Sequence, residues 1–197
     1  MKLVALLTAA IFSSLILTTH AAAPRPSGYL SDYDRLVEGE YLEAYWVDIV
    51  ATRRSKNPHI LLGTISADKV SDHNDVTVAE TISWLKNDLL AGAVIVDQTD
   101  GGYRLDVAIT HLDPGSAAKR ILAGEFGAGH AQLQIEGKVI DRQSDRVVAS
   151  FAERRRSSGA IGVQDLAGDA GPHIIEHLIN LISADISSEL TASFRSQ

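Results

Sequence analysis

Apolar residues take every second position from Tyr103 to Ile109: Tyr103, Leu105, Val107 and Ile109 alternate with Arg104, Asp106, Ala108 and Thr110. That period predicts a half-buried strand. The alternation returns over Ala131–Ile140, where Leu133, Ile135 and Val139 share a face. It continues as a hairpin partner over Val147–Phe151, after a polar turn at Asp141–Asp145. Tyr45, Val47 and Ile49 predict an earlier strand within Tyr41–Thr52, closed by the Asn57-Pro58 turn. Ile60–Leu62 and Ala93–Asp97 predict two shorter strands.

The period changes over Asn74–Ala91. Val78, Ile82, Leu85 and Leu89 recur at helical spacing, Thr77 and Glu80 form a capping-box pair, and Gly92 ends the run. A weaker helix is expected around Ser116–Leu122, and a final one from Pro172, which is tolerated in a first turn. Apart from the short Ile60–Leu62 piece, the order is strand, helix, two strands, helix, two strands, helix. It predicts an α/β fold: one domain over residues 41–194, a mixed sheet with about three helices packed on it. Residues 23–40 read as an extended lead-in, Pro- and Ser-rich at its start.

Residues 1–22 read as a secretory signal peptide. Lys2 precedes an apolar run, Leu3–Leu17, and small residues follow at Ala21–Ala23. The run is shorter than the ~20 residues of a membrane span, and cleavage is expected after Ala21 or Ala22. The chain is therefore expected to be periplasmic or secreted. The 197 residues contain no Cys, which excludes disulfides, thiolate metal sites and lipidation of an N-terminal Cys. The net charge is −7, and −8 without Lys2, which disfavours nucleic acid as a partner. Two basic clusters, Arg53-Arg54-Ser55-Lys56 and Arg154-Arg155-Arg156, read as solvated strand ends rather than docking patches for anionic lipid or glycan.

His173-Ile-Ile-Glu176-His177 spells H-x-x-E-H, the zinc-and-base string of one metallopeptidase class. A catalytic zinc needs both imidazoles, a third ligand and a carboxylate base. At 100° per residue, Ile174, Ile175, Leu178, Ile179, Leu181 and Ile182 share one side of the helix. His173 and His177 fall opposite, with Asn180 and Ala184, and so point away from the core. Glu189 follows 12 residues after His177, ~18 Å along a helix and on the other face. Glu125, His130 or Glu153 could join only if the fold delivers them. No metal, cofactor or catalytic residue is therefore assigned, although a small zinc hydrolase remains the alternative. Gly124, Gly127 and Gly129 have the wrong spacing and context for a dinucleotide loop. His59 reads as solvated beside its turn and His111 as a structural histidine. Tyr29, Tyr33, Tyr41, Tyr45 and Trp46 read as a hydrophobic clamp tying the lead-in to the sheet. The lead-in around Tyr29 and Tyr33 and the Gly-rich run 159–171 are the candidate contact surfaces.

Two stretches carry a resemblance. Pro26–Leu36, PSGYLSDYDRL, resembles the S-G-F-L-x-D-Y opening of a bacterial family of exported lipoproteins of unknown function. Phe126–Arg155 is similar to that family's glycine-rich step into a long hairpin. The family's hairpin turn usually reads Asp-x-x-Thr-Gly. Here it is Asp141-Arg-Gln-Ser-Asp145, without the glycine. The resemblance implies an envelope protein on the periplasmic side with no assigned activity. The signal peptide, the compact pattern and the lack of a convergent catalytic set lead to the expectation of a non-enzymatic binding or assembly module with an envelope protein partner. Many relatives look lipidated; without a Cys, this chain would meet a membrane only indirectly.

Overall fold

The computed structural model describes residues 19–52, 59–72, 76–98, 101–116, 130–157 and 170–194. The Arg53–Lys56 cluster, the Asn57-Pro58 turn, Gly124–Gly129 with Glu125, nearly all of the weak Ser116–Leu122 helix and the loop up to 169 lie outside the described residues, as does most of the leader.

The strands are β1 (Thr19–Ala21), β2 (Ala44–Val47), β3 (Ile60–Ser66), β4 (Ile95–Val96), β5 (Tyr103–Asp113), β6 (Gln132–Asp141) and β7 (Arg146–Ser157). The helices are α1 (Ile49–Thr52), α2 (Val78–Ala91) and α3 (Ala170–Phe194). One seven-stranded mixed sheet runs β1-β7-β6-β5-β3-β4, with β2 also on β7. β3 lies between parallel neighbours, β4 and β5. The remaining pairings, β5 to β6, β6 to β7, and β7 to both β1 and β2, are antiparallel. This is the expected α/β architecture, built on the β6–β7 hairpin.

The alternating apolar positions bury against the helices. Leu105, Val107, Ile109, Leu133, Ile135, Val139 and Phe151 join Leu85 and Leu89 of α2 and Ile175, Leu178, Ile182 and Leu190 of α3 in one core. Tyr103 meets Phe194 edge-on at 5.0 Å. Gly137 is where β6 lets the Phe151 ring lie flat: a Cβ there would come within 2.2 Å of the ring.

Several boundaries differ from the expected ones. Tyr41–Thr52 is not a single strand. Asp48 Oδ1 accepts from the N–H groups of Val50 and Ala51, both at 3.1 Å, and turns the chain into α1. α2 begins at Val78 with Thr77 as its cap, and the capping box is present. Gly92 follows it in an extended conformation, φ −73°, so its left-handed freedom is unused. Its lack of a side chain matters instead, because a Cβ would lie 2.6 Å from Ser187 Oγ on α3. β5 runs on past Thr110 through a bulge at Ile109/His111, and α3 begins two residues before Pro172. The hairpin turn does without glycine because Asp145 adopts φ +54° itself. Asp141 Oδ1 braces that turn by accepting from the N–H groups of Gln143 and Ser144.

Candidate functional site

Two groups of polar side chains sit at depth, and a third lines an open cleft. The first lies on the sheet face away from the helices, under the lead-in. The Tyr33 hydroxyl accepts from the backbone N–H groups of Ser27, Gly28 and Leu30 at 3.0, 3.0 and 3.2 Å. It donates to Glu136 Oε2 at 2.5 Å. Glu136, fully buried, also accepts from Thr110 Oγ1 at 3.0 Å and Gln134 Nε2 at 2.8 Å. The Gln134 amide pairs with both backbone groups of Arg25. Gly28 supplies the turn, at φ +83°. Tyr29 lays its ring under Lys138, 4.3 Å away. Burial first, then the nearby Asp106 and Glu136 carboxylates, pushes its phenol up to about 12. Arg35 stacks on Trp46 at 3.5 Å. The aromatic clamp is therefore real, but Tyr33 works through its hydroxyl rather than through apolar area.

The second group joins β7 and the segment just before β2 to α3. Glu153 Oε2 accepts from Glu43 N–H at 2.7 Å. Its other oxygen lies 2.8 Å from Arg155 Nε, and Arg155 also reaches Asp185 of α3 at 2.6 Å. Burial pushes the Glu153 carboxyl up to about 7, against the pull of the Glu43 N–H and Arg155. Glu189 of α3 accepts from the N–H groups of Tyr41 and Leu42 at 2.7 and 3.2 Å.

These contacts overturn the solvated reading of Arg154–Arg156. Arg154 is buried and bonds Gln132 Oε1 at 2.6 Å, Arg155 is held by carboxylates, and β1 pairs alongside at Arg155–Ser157. Glu153 lies on β7 itself, but Asp185 comes from α3 and Gln132 from β6, where a charge run by itself cannot show them.

The third group is a cleft of about 400 Å³ between α2 and α3. Trp84, Asn87 and Asp88 line it from α2, and His173, Glu176, His177 and Asn180 from α3. The turn-by-turn reading of α3 holds for Ile174, Ile175, Leu178, Ile179 and Ile182, which are in the core, while Leu181 is only half-buried. His173 Nδ1 lies 3.8 Å from Glu176 Oε2, and its side chain is 79% exposed. The half-buried His177 does not simply face water; it shares the cleft wall with Trp84 and Asp88. Burial raises the Asp88 carboxyl above its ordinary range, and Glu176 adds to the rise, while a hydrogen bond from Asn180 opposes it.

The other ligands considered for zinc are elsewhere. Glu153 and Glu189 hold backbone amides, and His130 is buried beside the start of β6. Among the described residues no group of three His, Asp or Glu is placed to hold a metal ion. Trp84 and Asp88 were absent from the candidate residues because they sit on the flank of an ordinary amphipathic helix, and only the packing of α2 on α3 makes them neighbours of the histidines.

A family model described as a domain of unknown function, DUF4410, matches residues 80–162. No curated protein matches the chain. Several solved structures resemble it at low identity. A PelC dodecamer from Paraburkholderia phytofirmans is 13% identical, with 64% of this chain and 89% of that one covered and a TM-score of 0.37. A hypothetical protein from Chlamydia trachomatis is 10% identical over 68% and 97%, with a TM-score of 0.46. A Xanthomonas campestris protein of family model DUF330 is 14% identical over 66% and 87%, with a TM-score of 0.41.

Proposed function

We propose that this chain, which carries the DUF4410 match, is an exported, non-enzymatic binding or assembly module of the cell envelope that works through a protein partner. One observation carries the binding part. The exposed large hydrophobics of the described residues, Val37, Tyr41, Ile49 and Val50, all fall in one short stretch beside β2. Apolar side chains gathered in this way are more useful for contact than for chemistry. The buried carboxylates support the same reading, since Glu136, Glu153 and Glu189 each hold structural donors. The export part rests on the signal-peptide pattern of residues 1–22.

Fractionation of expressing cells, with mass spectrometry of the N-terminus, tests export. The expected result is a periplasmic protein beginning at Ala22 or Ala23; recovery from the cytoplasm with residues 1–21 attached overturns it. Zinc titration calorimetry tests the non-enzymatic part, using the chain from Ala23 onward beside a His177→Ala variant. Weak binding that resembles a pair of surface imidazoles is expected. Tight one-to-one binding lost in the variant would restore the hydrolase.

A further inference from the structure

The cleft between α2 and α3 has a composition that neither metal binding nor simple solvation of a helix flank explains. Trp84, partly buried against the core, contributes the aromatic part of the described lining. Around it stand two side-chain amides, Asn87 and Asn180, and two carboxylates, Asp88 and Glu176. The imidazoles of His173 and His177 complete the described wall, and no Lys or Arg is among the described lining residues. An aromatic face combined with a dense ring of mixed donors and acceptors suits a ligand that is apolar on one face and hydroxylated around its edge. A pyranose ring has that form: its axial C–H groups stack on the indole while its hydroxyls bond amides and carboxylates. The volume, about 400 Å³, lies within the range of small-molecule sites and accommodates one or two sugar rings. The carboxylates give the cleft a negative bias, which admits neutral and amino sugars and repels uronic acids.

We propose that this cleft is a saccharide-binding site for neutral or amino-substituted pyranose units, with Trp84 as the stacking platform and Asp88 and Asn180 as the hydroxyl-reading pair. Asp88 and Asn180 line the cleft from different helices, so the packing of α2 on α3 sets the spacing of the two heads. The proposal deepens the binding-module reading and rests on it only in excluding chemistry at the histidines.

The chain has two tryptophans, so Trp46→Phe leaves Trp84 as the sole indole reporter. This variant is titrated with cellotriose, tri-N-acetylchitotriose, chitosan trimer and trigalacturonate, by intrinsic fluorescence and calorimetry. A saturable emission change is expected with at least one of the first three, with a dissociation constant of about 1 mM for so open a site, and at least tenfold weaker binding of trigalacturonate. Asp88→Ala and Asn180→Ala, each showing an unchanged cooperative thermal transition, should each weaken binding at least tenfold. No saturable change with any trimer, equal affinity for trigalacturonate, or binding indifferent to both substitutions overturns the proposal. None of these results bears on where the chain is recovered or how its N-terminus is processed, so the two readings fail separately.

Discussion

A single phenol oxygen fastens the lead-in to the sheet. Tyr33 Oη accepts from three backbone N–H groups and donates its own hydrogen bond to buried Glu136. Tyr33→Phe keeps the ring but leaves those donors and one lone pair of Glu136 unmet, at a cost of about 2–4 kcal/mol. Urea unfolding should register it as a lowered midpoint, whereas Tyr29→Phe, which keeps the ring under Lys138, should shift the midpoint little. The sequence shows that aromatics cluster here, and shows the Ser-Gly-x-Leu-x-Asp-Tyr spacing. It does not show that the spacing serves a hydroxyl, because Glu136 lies more than a hundred residues away. Asp145 teaches the same lesson in reverse. The missing turn glycine was visible as a departure from the turn of the lipoprotein family that the chain resembles, but not that aspartate would adopt the left-handed conformation itself.

At the scale of elements, β6 and β7 fit each other through one size match. Gly137→Ala would press a methyl into the Phe151 ring and should destabilise by about 1–3 kcal/mol, as overpacking does; thermal unfolding of the variant measures it. β7 also meets α3 through Glu153, with Glu43, Arg155 and Asp185 facing it. Its carboxyl titrates near 4.5 when free and is pushed up to about 7 in the fold. Between these pH values the folded chain holds a proton that the unfolded chain has lost. Stability contributed by this group is therefore full below about pH 4.5 and declines as pH rises to about 7, by up to about 3 kcal/mol. Unfolding midpoints measured from pH 5 to 8 should fall, and Glu153→Gln, which still accepts from Glu43 N–H, should flatten the fall. The α3 periodicity revealed which side of the helix would be buried. It could not reveal that the opposite side would meet a second helix and become a cleft rather than a water-facing stripe.

For the whole molecule, alternation and capping signals were enough to read a mixed sheet with helices on it. Strand order was not legible. That β3 sits between two parallel strands, and that β7 takes β2 and β1 along one edge, depends on pairings between distant segments. The Arg154–Arg156 misreading has the same origin, since neither β1 nor Asp185 is near the run in the chain. β1 closes the β7 edge at Arg155–Ser157. Processing at Ala21 or Ala22 would remove it, so amide hydrogens at the end of β7 should exchange faster in the processed chain than in the full-length one, a difference that hydrogen exchange read by mass spectrometry can localise.

If the leader is cleaved as proposed, the position of β1 makes that step a matter of timing. The bonds expected to be cut lie inside or beside a hydrogen-bonded strand: Ala21 pairs with Arg155, and Ala22 N–H donates to Arg154 O at 3.0 Å. A peptidase needs that segment free and extended, so folding and processing compete for the same stretch of backbone. A chain that folds first shelters its own cleavage site; one held unfolded during transit offers it. Variants that fold more slowly should then be trimmed more completely, and the ratio of long to short forms becomes a clock for how quickly the sheet closes.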